Sequence, residues 1–310
     1  MAKKRNKAID YSVFLVIRVL VCFLQSIPLE WAYQVAKLLA HFVHAVDKRH
    51  RKVALENIRL AFGDRYNEEQ RKRLVFDVYH HFCKMFIEMM FIPRKLHKQN
   101  WKKYAQLSNA TGASRAIMEG RPIIVVTGHF GNWEMAGVWL AAFGLRTFTI
   151  ARDIDNPYLD KFLRQFRQWT GQTMLSKNGD IDKIQKVLEN RGVLVTLADQ
   201  SAGERGYFVD FFGRPASTHK SIAVLSMRYD AQVVVGYAFR DSKNFHYTIE
   251  CSQVLDPRDY ESIPNGTFKL TEDFTRLLEN AVRKAPEQYF WVHNRWKHKP
   301  RERSAVRKAA

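Results

Sequence analysis

From residue 123 onward, short apolar runs alternate with stretches of helical periodicity, and this alternation limits the possible folds more than any other feature of the chain. The runs fall at 123–127, 145–150, 173–175, 193–197 and 232–239, and helical patterns separate them at 133–143, 157–170, 180–190 and 220–229. Strands separated by helices need crossover connections, and these generate a mostly parallel sheet with helices on its faces. The expected fold class is therefore α/β. Residues 245–251 alternate polar and apolar, as an antiparallel strand near an edge would, and 267–284 closes the pattern as a helix.

The preceding segment, about 49–118, reads as helical. Leu55, Ile58, Ala61 and Phe62 have helical spacing and Gly63-Asp64 ends that helix. Asn67-Glu-Glu-Gln70 resembles a cap with an acidic first turn; its helix runs through Leu74, Val78, Phe82, Phe86 and Met89 until Pro93 stops it. The Met and Phe stripe reads as core.

The N-terminus places Lys3, Lys4, Arg5 and Lys7 before an apolar run over 11–24 that contains Arg18. The run is slightly short for a bilayer span, and neither Arg18 nor the absence of a small-residue cleavage site suits a secretory signal. It reads as a tilted membrane anchor or an interfacial helix, against the alternative of a buried core helix. Pro28 breaks it, and 31–46 forms a second amphipathic helix. The expected division is a membrane-anchoring segment at 1–48, a main domain at 49–299 and a disordered basic tail at 300–310. The net charge of +19 over 310 residues favours anionic partners. Cys22, Cys83 and Cys251 have no metal-ligand or redox-pair spacing and suit a reducing compartment.

In open sheets of this kind, reactive groups gather beyond the carboxyl ends of the strands. His129 and Asp199 sit there, after 123–127 and 193–197. Thr127-Gly-His-Phe-Gly-Asn-Trp-Glu134 offers an imidazole and a carboxylate separated by four residues, a plausible general-base pair with Glu134 fixing the His129 tautomer. An equally weighted alternative is structural: Asn132 is a good N-cap, and Glu134 in a first helical turn is favoured by the helix dipole. Gly128 and Gly131 argue for close approach of something to the turn. The Gly- and aromatic-rich stretch 200–215 reads as the floor of a pocket. No nucleophilic-serine elbow, phosphate-binding loop or dinucleotide fingerprint is present, and His129 and Glu134 lack a third ligand for a metal. Direct attack by a substrate hydroxyl, deprotonated by His129, on an activated acyl group remains.

Several motifs carry a resemblance. They are Ala54-Leu-Glu-Asn-Ile-Arg-Leu-Ala-Phe62, Gly128-His-Phe-Gly-Asn-Trp-Glu134, Asp155-Asn-Pro-Tyr-Leu-Asp160, Asp199, Phe211-Phe-Gly-Arg-Pro-Ala216 and Ala285-Pro-Glu-Gln-Tyr-Phe-Trp-Val-His-Asn-Arg-Trp-Lys297. With them the chain resembles, over almost its whole length, the late acyltransferases of lipid A biosynthesis in Gram-negative bacteria. These lauroyl and myristoyl transferases belong to the wider His-x4-Asp/Glu glycerolipid-type group. The resemblance implies a glycerolipid acyltransferase-like fold, His129 as general base, Glu134 as its partner, and roles for Arg167 and Asp199. Arg167 would stabilise an oxyanion or hold an acceptor phosphate, and Asp199 would pair with that Arg or act as a site acid. Asn132, Arg152 and Asn156 are secondary candidates near the same rim. The implied partners are an acyl carrier protein or coenzyme A thioester as donor, an anionic glycolipid acceptor and the membrane. No cofactor, metal or nucleic acid is implied. The implied location is the inner membrane, with the catalytic domain on its cytoplasmic face.

Departures from the family pattern bear on the acceptor: His219-Lys220 replaces small residues, Asn294 replaces a common Arg, and Trp296 replaces Phe. Superfamily relatives acylate other glycolipids, such as phosphatidylinositol mannosides. In the basic ending, Arg295, Lys297, Lys299, Arg301 and Arg303 read either as a solvated tail or as a headgroup- or carrier-attracting patch. Trp291 and Trp296 suit a membrane interface. The competing functions are acylation of another glycolipid or phospholipid, an acyl thioesterase using the same residues on water, and a non-enzymatic polybasic membrane-binding protein.

Overall fold

Seven strands form one sheet in the order β1-β9-β8-β2-β5-β3-β4 in the computed structural model, which describes residues 6–300 apart from 98, 170, 177–178 and 242–243. The strands are β1 (Ala105–Ser108), β2 (Ile123–Thr127), β3 (Thr147–Ala151), β4 (Gln172–Ser176), β5 (Val193–Leu197), β8 (Gln232–Arg240) and β9 (Tyr247–Leu255); β6 (Tyr207–Asp210) and β7 (Pro215–Thr218) make a separate hairpin. The five strands from β8 to β4 are mutually parallel. β9 runs antiparallel to β8 and β1 parallel to β9, so this edge is reversed. The sheet is mostly parallel and flanked by helices, as expected. The sequence carries no signal for β1: its four residues lie within a stretch of helical periodicity and are too few to establish a period of their own.

The helices are α1 (Lys7–Ser26), α2 (Leu29–Val46), α3 (Lys48–Phe62), α4 (Glu68–Lys95), α5 (Thr111–Met118), α6 (Trp133–Ala142), α7 (Pro157–Trp169), α8 (Ile181–Glu189), α9 (Ser221–Arg228) and α10 (Gly266–Lys284). Asn67 and Gln70 form a reciprocal capping box at the start of α4. Contrary to expectation, α4 does not stop at Pro93 but continues to Lys95. The proline falls in its final turn, where a kink leaves little helix beyond it.

The two sheet faces carry different cores. Ile124, Val126, Leu194, Val233 and Val235 pack with α3, α10 and the first half of α4. On the opposite face Ile123, Val193, Val234 and Cys251 pack with Ala113 and Ala116 of α5. Strand residues alternate between these faces by their period of two.

α1 has mean hydropathy 1.9 and is by length and composition able to cross a membrane. It lies along the body. Asn156 Nδ2 donates to the Asp10 carbonyl at 2.9 Å, Arg18 stacks over Phe162 at 4.7 Å, and Gln25 Nε2 donates to the Met90 carbonyl. Val13, Val16, Leu20 and Phe23 of α1 and Trp31, Leu38 and Phe42 of α2 remain exposed. The basic residues 3–5 and, except for Pro300, the tail expected to be disordered lie outside the described residues.

Candidate active site

β2 and β5 are adjacent and in register, with Ile123 opposite Val193 and Thr127 opposite Leu197. The Ala198 amide extends this ladder by donating to the Thr127 carbonyl at 2.9 Å. Two residues beyond each strand, His129 and Asp199 therefore arrive at the same level. His129 Nδ1 lies 2.8 Å from Asp199 Oδ1. The chain leaves β2 toward β3 on one side and leaves β5 toward β8 on the other, so the pair occupies the crevice where strand order reverses.

The local backbone is built for this contact. A Cβ on Gly128 would press against the Asp199 side chain at 3.3 Å, so glycine lets the carboxylate come close. Gly131 has φ +62°, and a Cβ there would sit 2.2 Å from the Ala238 carbonyl oxygen. Asn132 caps α6, its Oδ1 accepting from the Met135 amide at 3.1 Å, as expected.

The carboxylate bonded to His129 is Asp199, which corrects the expected pairing with Glu134. Glu134 sits in the first turn of α6 and is held by Arg167 of α7, whose Nε donates to Oε2 at 3.0 Å and whose Nη2 donates to Oε1. The physical reason is direction: a residue inside the first turn of the following helix projects toward α7, whereas the neighbouring parallel strand delivers Asp199 to the imidazole. The suggested pairing of Asp199 with Arg167 is excluded by the same geometry. Burial pushes the Asp199 carboxyl up, but the facing imidazole outweighs it and holds the group below its ordinary range. Beside it, burial and then Asp199 keep the Tyr289 phenol protonated far above its usual value.

His129, Glu134, Arg167 and Arg152 line one cavity of about 970 Å³. Trp133 and Phe290 flank the imidazole with ring centroids at 5.1 and 5.8 Å. The lining is two-sided. Val125, Val195, Val234 and Cys251 come from the face covered by α5 and α6, whereas Ile150, Ile184, Ile222 and Leu225 belong to the opposite core. Two apolar lobes thus meet at the strand ends where His129 sits. Arg152 is an exposed rim residue, 3.5 Å from Asp155. Asn156 is instead a buried cap of α7, its Oδ1 accepting from the Tyr158 amide at 3.0 Å.

Other expectations are revised. Within the stretch read as a pocket floor, only Gln200 lines the cavity; Phe211 and Phe212 turn into the core from the β6–β7 hairpin. Gln200 Nε2 lies 3.4 Å from His129 Nε2. Trp291, expected at a membrane interface, is 1% exposed and its indole donates to the Pro286 carbonyl at 2.7 Å. Trp296 packs against Phe211. Arg295, expected in either a solvated tail or a headgroup- or carrier-attracting patch, is instead buried and donates to the Ser217 carbonyl and the Thr218 hydroxyl. Aromatic rings amid cations cannot be told apart from interfacial anchors by composition; here the ending is structural. The Phe290 amide donates to the His129 carbonyl at 3.0 Å and the Gly131 amide to the Gln288 carbonyl at 3.0 Å. His293 Nε2 accepts from the Ser201 amide at 3.1 Å, and burial lowers this imidazole to about 4. Among the described residues no group of three or more His, Cys, Asp or Glu side chains is placed to hold a metal.

Residues 1–298 match the family model described as bacterial lipid A biosynthesis acyltransferase. The chain is 24% identical over 259 residues to the lipid A biosynthesis palmitoleoyltransferase of Escherichia coli (strain K12), covering 82% of this chain and 80% of that protein. It is 24% identical over 269 residues to the lipid A biosynthesis lauroyltransferase of the same strain, covering 82% and 81%. A phosphatidylinositol mannoside acyltransferase of Mycobacterium tuberculosis (strain CDC 1551 / Oshkosh) is 24% identical over 164 residues, covering 50% of this chain and 52% of that protein. A match over nearly the full length, on a fold that converges on one imidazole–carboxylate crevice, makes this chain a member of the bacterial lipid A biosynthesis acyltransferase family.

Proposed function

We propose that the protein transfers a fatty acyl chain from an acyl thioester, on acyl carrier protein or coenzyme A, to a hydroxyl of a lipid A precursor. The observation that carries this reading is the His129–Asp199 pair at the junction of a large apolar cavity. Asp199 accepts a hydrogen bond from Nδ1–H, which puts the lone pair of His129 on Nε2; the acceptor hydroxyl takes the place of the long 3.4 Å contact from Gln200 Nε2 and uses that lone pair as its base. The acceptor hydroxyl gives its proton to Nε2 as its oxygen attacks the thioester carbonyl carbon. When the tetrahedral intermediate collapses, the carbon–sulfur bond breaks and the thiolate takes the proton from the imidazolium. Asp199 stabilises that imidazolium in a buried setting where charge–charge attraction is stronger than in water.

Glu134 acts on Arg167 rather than on His129. Held in a two-point pair, the guanidinium brings a fixed donor group to the cavity wall, suited to a developing oxyanion or an acceptor phosphate. The apolar lobe under α5 and α6 takes the donor chain, because each buried methylene contributes about 0.8 kcal/mol. The exposed apolar faces of α1 and α2 support attachment to the membrane. Contacts of α1 with α4 and α7 along its length favour a helix lying in one leaflet over a span.

Purified protein incubated with acyl thioester alone, and then with a lipid A precursor or a phosphatidylinositol mannoside, tests this reading by mass spectrometry. Acylated lipid A precursor is expected, lost in a folded His129→Ala variant. Release of free fatty acid without acylated lipid would make the protein a thioesterase; acylation of the mannoside alone would replace the acceptor.

A further inference from the structure

Behind the His129 turn lies a polar cluster that touches no part of the cavity. Arg240, the last residue of β8, donates from Nε to Glu88 Oε1 at 2.9 Å and from Nη2 to Oε2, with Glu88 fully buried in α4. Arg240 Nη1 also lies 2.6 Å from His81 Nδ1. A guanidinium has no acceptor, so Nδ1 of His81 must accept and Nε2 must carry the proton. That Nε2 donates to the Gly131 carbonyl at 3.0 Å. From the same cluster Glu88 Oε2 accepts from Asn132 Nδ2 at 3.4 Å, and the Tyr247 hydroxyl contacts the same amide at 3.2 Å. Gln288 closes the ring: its Oε1 accepts from the Arg240 amide, its Nε2 donates to the Arg240 carbonyl, and its own carbonyl accepts from the Gly131 amide.

We propose that the Glu88–Arg240–His81 cluster is the positioning device of the catalytic turn, fixing Gly131 and Asn132 so that His129 meets Asp199 and substrate at one angle. The proposal rests on His129 being the general base. Stability does not account for the cluster, because a buried ion pair can often be exchanged for apolar side chains with no loss of stability. Its geometry does: the His81, Asn132 and Gln288 connections all end on the two residues that follow His129-Phe130. None of Glu88, Arg240 and His81 lines the cavity, so they act through the turn and not on substrate. Burial and Arg240 hold His81 neutral, the state in which it can accept on one nitrogen and donate from the other.

The test pairs His81→Phe, which keeps the ring but removes both nitrogens, with His81→Gln, which can restore a donor toward Gly131. Displacing a positioned base by a fraction of an ångström is expected to lower kcat by about tenfold to a hundredfold in His81→Phe. KM for the acyl thioester should stay unchanged, and hydrogen exchange at the Gly131 and Asn132 amides should rise. His81→Gln should recover most of both losses. Wild-type kcat with wild-type exchange in folded His81→Phe would overturn the proposal, as would an equal deficit in His81→Gln. If His81→Phe does not fold, Glu88→Met/Arg240→Met removes the ion pair with apolar replacements, and the same two readouts decide. Exchange at the turn is read without any substrate. An inactive wild-type protein would therefore count against the acyl-transfer reading, while the exchange data would still decide whether the cluster holds the turn.

Discussion

Replacing Asp199 by asparagine is the most discriminating single change at this site. The side chains have the same shape, so asparagine fits against Gly128 as the carboxylate does. The chemistry differs. An asparagine NH₂ facing Nδ1 of His129 donates where the carboxylate accepted, which drives the ring proton onto Nε2 and removes the lone pair that should take the hydroxyl proton. The charge is also lost. For an imidazolium and a carboxylate with charge centres about 4 Å apart, an effective dielectric near 20 gives about 4 kcal/mol, or roughly a thousandfold in rate. With the tautomer error added, kcat should fall by about a thousandfold to ten-thousandfold. KM for the thioester should change little, because Asp199 is only 5% exposed and does not line the cavity. The assay is single-turnover transfer from a labelled acyl thioester to lipid acceptor at neutral pH, with thermal unfolding as the control for folding. Glu134→Gln is the comparison. It keeps a hydrogen bond to Arg167 and should cost far less. A folded Asp199→Asn enzyme within about tenfold of wild type, alongside a Glu134→Gln enzyme reduced a thousandfold, would refute the assignment of Asp199 and return the partner role to Glu134.

Gly131→Ala should destabilise the protein by about 3 kcal/mol or more, since it combines a left-handed backbone with a collision against the Ala238 carbonyl; thermal unfolding reads it directly. His293 has a folded-state value of about 4, below its ordinary value near 6.5, so its contribution to stability is complete above pH 6.5 and lost as pH falls from there to about 4. Screening at this partly exposed site limits the contribution to roughly 1–2 kcal/mol, and His293→Gln should flatten the stability curve over that window. Ala113→Phe, in the cavity wall that α5 itself supplies, should shift the preferred acyl chain to shorter lengths. A chain left with two methylenes unburied would lose about 1.6 kcal/mol, or roughly fifteenfold in kcat/KM, across a series of thioesters. Vesicle flotation should fall sharply when Val16, Leu20 and Phe23 are replaced together by serine, whereas a protease site placed after Ser26 should remain on one side of the membrane with the body.

The central sheet was legible because its strands are buried on both faces and so stand out as short, continuous apolar runs bounded by turns, between stretches of helical period. β1 and the β6–β7 hairpin were not: all three are four-residue strands, too short to show a period, and the partner of β1 is β9, more than 130 residues away. Both members of the His129–Asp199 pair could be placed at strand ends. Their contact could not, because nothing local said that 193–197 would lie beside 123–127. Once adjacency is known, the equal strand lengths and the constant offset of 70 between register partners make the contact unavoidable. Glu134 misled for the opposite reason: proximity in sequence stood in for proximity in space. The Glu88, Arg240 and His81 cluster lay hidden because its members come from α4 and β8, and in each segment they resemble ordinary polar punctuation.

The C-terminal segment 286–295 has a consequence for how the molecule comes into being. It supplies the carbonyl that accepts from Gly131, the amide that donates to His129 and the imidazole that accepts from Ser201. A nascent chain that has emerged only through α10 holds every strand of the sheet but leaves those turn groups without their partners. The crevice around His129 is therefore closed by a segment made after every strand of the sheet, and such a chain carries a sheet without a finished crevice.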